Sequence, residues 1–200
     1  MNVTDTATQT MITDTLPLRP YQVEAIDAIH RAETRGVRRQ VVALPTGTGK
    51  TVIFSHLIAR RASRSLVVAH RDELIEQAAA KIRAVDPRAT IGICKAERDE
   101  WQAPVTVASI QTIARNHRLT RIPRNSYQVI IVDEFHHAAA DSYMATLDYF
   151  GAFRDDGPLT IGFSATPERA DDRQLADAFD EIVYRRDIES MIADGYLCDL

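Results

Sequence analysis

The sequence has few cysteines and no long apolar run. Its 200 residues contain only two cysteines, Cys94 and Cys198. These lie far apart in the chain, which excludes the closely spaced pairs of zinc sites and indicates a disulfide only weakly. No apolar stretch reaches the ~20 residues that a membrane-spanning helix needs. We therefore expect a protein with no membrane partner that works in a reducing, cytoplasmic setting.

The N-terminus lacks the features of a secretory signal. Residues 1–15 are rich in Thr and Asp, with neither a basic start nor an apolar centre. We predict that residues 1–17 form a flexible tail. Residues 18–200 are enough for one well-packed α/β domain and too few for two large ones.

The chain has no excess of positive charge, and its charge is unevenly distributed. The net charge of −4 argues against a bulk polyanion binder. Residues 1–132 hold 19 Lys and Arg against 12 Asp and Glu, whereas residues 133–200 hold 5 against 16. This asymmetry permits one positive face on an acidic protein, although solvated helix faces would give the same counts.

The most informative stretch is Leu44-Pro45-Thr46-Gly47-Thr48-Gly49-Lys50-Thr51. It lies between an apolar run and a helix-like run, which is the context expected of a phosphate-binding loop. Gly47 and Gly49 allow a tight turn, and the N-terminus of the next helix adds its positive end. Lys50 can reach the outer phosphates of a nucleotide, and the Thr51 hydroxyl can ligate Mg²⁺. An ordinary strand–helix turn with the same residues is the alternative.

Apolar runs alternate with helical patterns along the chain. Strands are predicted at residues 41–44, 66–69, 90–94, 104–108, 128–132 and 159–163, with a further candidate near 182–184. Helices are predicted between them, starting with Pro20 to about Thr34, and residues 115–124 are interpreted as a basic loop. This alternation indicates a parallel sheet with helices on both faces, in which ligands bind beyond the carboxyl ends of the strands.

Asp133 and Glu134 end the fifth predicted strand. A carboxylate there can hold Mg²⁺ opposite Thr51, and Glu134 can polarise the water that attacks the γ-phosphate. In isolation the pair would be read as an acidic cap, but the phosphate loop upstream favours catalysis. His136 suits a hydrogen bond beside Glu134 better than metal binding, because the spacing is not that of a helix-borne zinc site.

Together these motifs resemble those of the superfamily-two helicases, the DEAD/DEAH-box group in a broad sense. The similar segments are Leu18–Gln22 (adenine recognition), Pro45–Thr51 (phosphate loop, with Leu44 where the general pattern has Gly), Asp133–His136 (Asp-Glu-x-His box), Ser164–Thr166 (coupling), and Val68–Leu74 with Ser109–Thr112 (strand contacts). The resemblance runs from about residue 18 to residue 200. It is closest to the branch with type III restriction motor subunits and bacterial repair helicases.

The resemblance implies a RecA-like P-loop fold of the α/β class, a three-layer sandwich with a mostly parallel sheet, and residues 18–200 as the first RecA-like ATP-binding domain. It also implies ATP and Mg²⁺ as cofactors and DNA or RNA as partner. The implied nucleotide-binding residues are Arg19, Gln22, Pro45, Thr46, Gly47, Thr48, Gly49, Lys50 and Thr51. Thr51 and Asp133 would hold the metal, and the implied catalytic residues are Lys50, Asp133, Glu134 and His136. Ser164 and Thr166 would couple nucleotide state to the track, and His70, Arg71, Gln111 and Thr112 would contact nucleic acid.

Members of this group carry a second RecA-like lobe that supplies arginine fingers, and we find no second phosphate-binding half in these 200 residues. We therefore expect a fragment or stand-alone first lobe that binds nucleotide modestly and hydrolyses it slowly. Two alternatives stay open: a P-loop phosphotransferase acting on a small substrate, and a nucleotide-dependent nucleic-acid docking module without motor activity.

Overall fold

The computed structural model describes residues 16–134, 141–165 and 177–198. Its strands are β1 (Arg39–Ala43), β2 (Ser65–Ala69), β3 (Ile91–Lys95), β4 (Arg98–Asp99), β5 (Val105–Ser109), β6 (Val129–Asp133), β7 (Leu159–Ser164) and β8 (Glu181–Arg185). Its helices are α1 (Pro20–Thr34), α2 (Lys50–Arg61), α3 (Asp72–Val85), α4 (Ile110–Ile113), α5 (Asn116–Leu119), α6 (Asp141–Tyr149) and α7 (Ile188–Ala193).

The strands form one sheet in the order β4-β3-β5-β2-β6-β7-β1-β8. Neighbouring strands are parallel except for the antiparallel pair β3 and β4. In the register of β1, β7 and β6, Val42, Phe163 and Asp133 lie side by side. The parallel strands therefore end at one common side of the sheet, which we call the carboxyl edge.

Apolar side chains cover both faces of the sheet, because successive residues of a strand point to opposite sides. In β2, Val67 belongs to the core cluster that contains Phe54 of α2, whereas Val68 belongs to the cluster that contains Leu147 of α6. The Phe54 and Phe163 rings meet edge to face with centroids 5.6 Å apart. The predicted arrangement of helix, sheet and helix layers is confirmed.

Two local features differ from the sequence prediction. The two-residue strand β4 was not predicted, because so short a segment has no measurable hydrophobic period. Residues 115–124 are not a plain loop, since they contain α5. Leu119 and Ile122, hidden among the arginines of this segment, are buried and anchor it to the core.

The predicted tail, residues 1–17, lies outside the described residues apart from Leu16 and Pro17. The Leu16 carbonyl oxygen lies 2.8 Å from Nε2 of His56.

Burial raises the pKa of the Cys94 thiol to about 11, and Cys94 and Cys198 are both free. Within the described ranges, no helix is both long and apolar enough to cross a membrane.

Candidate functional site

The loop between β1 and α2 has the backbone that its glycines permit. Gly47 has φ of +84° and Gly49, which caps α2, has φ of +76°. Both values lie in the left-handed region that glycine enters without a steric cost. A Cβ at Gly49 would lie 2.8 Å from Nε2 of Gln22. A side chain at this position would therefore need both a left-handed backbone and a shift of the Gln22 side chain.

Helix α1 holds this loop from the side. The Tyr21 hydroxyl donates a hydrogen bond of 2.5 Å to the Thr48 carbonyl oxygen, and Nε2 of Gln22 donates to the same oxygen at 3.1 Å. The Thr48 hydroxyl in turn donates to the Pro45 carbonyl oxygen at 2.7 Å. Tyr21 was not among the predicted site residues; the only sequence signal was its place beside Gln22. The loop is thus fixed before any ligand arrives.

Lys50 brings the loop and the acidic pair together. Its Nζ lies 3.3 Å from Oε1 of Glu134 and donates to the Leu44 carbonyl oxygen at 3.2 Å. The Lys50 side chain is 8% exposed and the Glu134 side chain 24%, so the pair is partly shielded from water. Glu134 has φ of +53°, a left-handed value that is uncommon for a residue with a side chain. Glu134 follows the last residue of β6 and lies at the carboxyl edge of the sheet.

Asp133 is buried beside this pair, at 6% exposure. Burial, followed by the neighbouring Glu134 carboxylate, raises the pKa of Asp133 to about 6, while Lys50 opposes the rise. The Tyr143 pKa is also raised, first by burial and then by the Asp133 charge. The Tyr143 hydroxyl is buried without a hydrogen-bond partner among the described residues. The end of β6 thus concentrates negative charge that a cation would stabilise.

Ser164, which the resemblance predicts to be a coupling residue, lies on β7 between β1 and β6. It ends β7, is fully buried, and its carbonyl oxygen accepts a 2.9 Å hydrogen bond from the Leu44 N–H. Thr51 is half-buried in the first turn of α2. His136 and Thr166 lie outside the described residues. Of the predicted metal, catalytic and coupling residues, the described ones all lie at the carboxyl edge.

The predicted nucleic-acid residues follow the neighbouring strands β2 and β5 at the same edge. Nε2 of Gln111 donates to the His70 carbonyl oxygen at 3.0 Å, and the Ser109 hydroxyl donates to Oε1 of Gln111 at 2.6 Å. His70, Arg71 and Gln111 are exposed. Thr112 is only 5% exposed, and its hydroxyl accepts a 3.3 Å hydrogen bond from the Ala96 N–H. Thr112 therefore holds the turn at Ala96 by a hydrogen bond, whereas the other three side chains face solvent.

A cavity of about 160 Å³ opens between α1, the phosphate loop and α3. Two predicted adenine-site residues, Arg19 and Gln22, line it together with Lys81, which was not predicted from the sequence. The full lining is Leu16, Pro17, Arg19, Gln22, Gly47, Thr48, Gly49, Val52 and Lys81. A larger cavity of about 500 Å³ lies at the opposite edge of the sheet, next to Arg38, Arg124 and Arg154. None of the predicted site residues lines it. We assign the site to the smaller cavity, because the phosphate loop forms part of its wall.

Comparison with known proteins gives a consistent result. The family model described as the type III restriction enzyme, res subunit, matches residues 15–169. The Saccharomyces cerevisiae protein named "Putative ATP-dependent helicase IRC3" is 43% identical over 195 residues, which cover 91% of this chain and 28% of that protein. The DNA 3'-5' translocase XPB2 of Sulfurisphaera tokodaii is 29% identical over 195 residues, covering 95% of this chain and 40% of that protein. This chain therefore spans well under half the length of either relative.

Among solved structures, the Hef helicase domain of Pyrococcus furiosus matches with a TM-score of 0.74 at 23% identity. The match covers 92% of this chain and 41% of that one. At this level of identity the likeness concerns the fold. It confirms the predicted RecA-like architecture.

Proposed function

Because this chain belongs to the family of the type III restriction enzyme res subunit, we propose that it is the ATP-binding lobe of a nucleic-acid-dependent ATPase. The resemblance to superfamily-two helicases points the same way, and the names of IRC3 and XPB2 describe an ATP-dependent helicase and a DNA translocase. The single observation that carries the proposal is the 3.3 Å approach of Lys50 Nζ to Glu134 Oε1 at the carboxyl edge. It joins a phosphate loop to an acidic pair 83 residues away in the sequence.

The nucleotide would bind with its phosphates in the loop from Pro45 to Thr51. Backbone N–H groups there and the positive end of α2 attract anionic phosphates. Lys50 would exchange its contacts with Leu44 and Glu134 for the outer phosphates. Arg19 and Gln22, which line the adjoining cavity, would recognise the adenine. Gln22 would then link the base to the loop, since its amide also holds Thr48.

The oxygen atoms of Thr51 and Asp133 fit Mg²⁺, which prefers hard oxygen ligands and keeps several of its waters. Burial and the Glu134 carboxylate raise the pKa of Asp133 to about 6 although Lys50 opposes the rise, so a bound cation would favour the ionised form. When bound, the ion would neutralise charge on the phosphates. Glu134 would orient and deprotonate the attacking water, with His136 beside it.

The nucleic-acid track would follow His70, Arg71 and Gln111. Contacts to backbone phosphates carry no sequence information, which suits a motor that must move over any sequence. Thr112 would act by positioning the neighbouring turn. Ser164 and Thr166 would couple nucleotide state to the track, since the Ser164 carbonyl oxygen accepts a hydrogen bond from Leu44, the residue before the phosphate loop. The track is DNA or RNA, and a second RecA-like lobe in the complete protein would supply arginine fingers worth about 10³–10⁵ in turnover.

The test is an ATPase assay with and without polynucleotide on the complete protein. We expect polynucleotide to stimulate turnover, and we expect Lys50→Ala and Glu134→Gln to abolish the stimulated activity. Glu134→Gln should still bind ATP, since the side chain that it replaces acts on the water. Stimulation separates this function from a small-substrate phosphotransferase, and turnover separates it from a docking module. Unchanged turnover in both variants would rule the proposal out.

A further inference from the structure

The carboxyl end of β3 lies beside the predicted nucleic-acid residues. In the register of β3, β5 and β2, Cys94, Ala108 and Val68 are side by side. The next residue of each strand, Lys95, Ser109 and Ala69, therefore lies at the same level of the carboxyl edge. Neighbouring strands are about 4.8 Å apart, so Lys95 lies within about two strand spacings of His70. Sequence reasoning did not select Lys95, because nothing in the local pattern reveals that β3 and β5 are neighbours.

The Lys95 ammonium has a loosely held partner. Its Nζ lies 3.5 Å from Oδ2 of Asp72, the first residue of α3, and the Asp72 side chain is 62% exposed. The Lys95 side chain is 26% exposed, so the pair is partly open to solvent, and ion pairs near the surface contribute little to stability. Asp72 directly follows His70 and Arg71 in the sequence. A carboxylate therefore sits among the side chains that would contact phosphates.

The turn after Lys95 is held in an unusual conformation. Ala96 has φ of +49°, in the left-handed region that disfavours a residue with a Cβ. Three hydrogen bonds hold it there: the Ala96 N–H donates to the Thr112 hydroxyl at 3.3 Å, and the Arg118 guanidinium donates to the Ala96 and Arg98 carbonyl oxygens at 2.5 and 3.0 Å. Backbone strain that the surroundings enforce is concentrated at binding sites. These bonds hold the turn that directly follows Lys95.

We propose that Lys95 is a further contact for a nucleic-acid backbone phosphate, and that Asp72 holds its ammonium when nucleic acid is absent. On binding, a phosphate oxygen replaces the Asp72 carboxylate as the partner of Nζ. Asp72 thereby lowers the affinity of the track for nucleic acid and favours ligands with enough charge to displace it. This inference rests on the proposed nucleic-acid function, which it extends to residues outside the resembling motifs.

The test is the binding of a fluorescent oligothymidylate of about 20 nucleotides by the complete chain, followed by anisotropy between about 50 and 200 mM salt. Lys95→Ala should reduce the slope of log affinity against log salt by about 0.7, the value for one single-strand phosphate contact. Lys95→Gln should do the same while keeping the length of the side chain. Asp72→Asn should tighten binding by about 1.5- to 5-fold at low salt, as expected when an exposed ion pair is removed.

The matched control is Arg154→Ala, which removes an exposed cation at the opposite edge of the sheet and should leave the slope unchanged. Asp72→Asn should have no effect once Lys95 is alanine, and a gain that persists in the double variant would overturn the role of Asp72. A wild-type slope in both Lys95 variants, with thermal melting curves like that of the unsubstituted chain, would overturn the phosphate contact. Absence of binding by the unsubstituted chain would overturn the proposed nucleic-acid role and this inference with it.

Discussion

The two halves of the carboxyl edge differ in how tightly their polar side chains are held. In the nucleotide half, at the ends of β1, β6 and β7, Lys50, Thr48 and Asp133 are each less than 9% exposed. In the nucleic-acid half, at the ends of β2 and β5, His70, Arg71 and Gln111 are exposed. A compact ligand needs a preformed site, whereas a moving polymer needs contacts that form and break. Substitutions in the first half should therefore change folding and nucleotide binding together, and substitutions in the second half should change nucleic-acid binding alone.

The largest effect is expected from Gly49→Ala. The new Cβ would enter a left-handed backbone and lie 2.8 Å from Nε2 of Gln22. We expect the free energy of unfolding to fall by about 1–3 kcal/mol, and nucleotide affinity to fall about 10-fold or more. Urea denaturation and titration with a fluorescent ATP analogue measure the two quantities.

The control for that variant is Gly36→Ala. Gly36 has a similar φ of +86°, but nothing lies within 4 Å of a Cβ built there. It should lose about 1–2 kcal/mol of stability from the backbone alone and keep its nucleotide affinity. Equal nucleotide affinities of the Gly49 and Gly36 variants would show that the loop is not the binding site.

A smaller effect is expected from Tyr21→Phe, which removes the hydroxyl that holds Thr48. The free energy of unfolding should fall by about 0.5–1.5 kcal/mol, the usual worth of a hydrogen bond, since Gln22 still donates to the same oxygen. ATP affinity should weaken by about 2- to 10-fold, because the phosphate loop loses one of the two hydrogen bonds that hold the Thr48 carbonyl oxygen.

Tyr184→Phe is the matched variant, because the Tyr184 hydroxyl donates to Oε2 of Glu24 at 2.7 Å on an exposed surface. Its effect on stability should stay within about 0.5 kcal/mol, and ATP affinity should not change. A Tyr21 variant indistinguishable from the Tyr184 variant would mean that α1 does not support the phosphate loop.

The smallest effect on stability is expected from Gln111→Ala, in the exposed half. Losing the contact with the His70 carbonyl should change the free energy of unfolding by less than about 0.5 kcal/mol. Oligonucleotide affinity should fall by about 2- to 10-fold, and ATP affinity should be unchanged. Gln128→Ala, which removes an exposed amide that accepts from the Arg64 N–H at the opposite edge, serves as the control. Loss of ATP affinity in the Gln111 variant would contradict the claim that substitutions in this half change nucleic-acid binding alone.

The sequence was sufficient for the fold, because its signal is local. Runs such as Leu66–Ala69 are apolar at every position, as a strand covered on both faces requires, and polar residues follow them. The phosphate loop could be predicted for the same reason, since glycine at positions 47 and 49 indicates a left-handed backbone conformation in a tight turn. The alternation of strands and helices then brings Lys50 and Glu134 to one edge.

Contacts that depend on strand order could not be predicted. From the sequence, Tyr21 is an aromatic residue of the core. Its hydroxyl bonds to Thr48 only because α1 packs against the phosphate loop. Lys81 borders the cavity only because α3 packs beside α2, and no spacing in the sequence encodes that. Lys95 and the left-handed Ala96 depend on β3 lying next to β5. The burial of Thr112 follows from the same neighbourhood.

The central claim is that the phosphate loop and the acidic pair form one ATP site, and a crystal structure with Mg²⁺ and a non-hydrolysable ATP analogue tests it most directly. We predict Nζ of Lys50 within hydrogen-bond distance of the outer phosphates, and Mg²⁺ about 2.1 Å from the Thr51 hydroxyl oxygen on the side of Asp133. Nucleotide bound instead in the larger cavity beside Arg38, Arg124 and Arg154, with Lys50 still bonded to the Leu44 carbonyl oxygen, would contradict the claim.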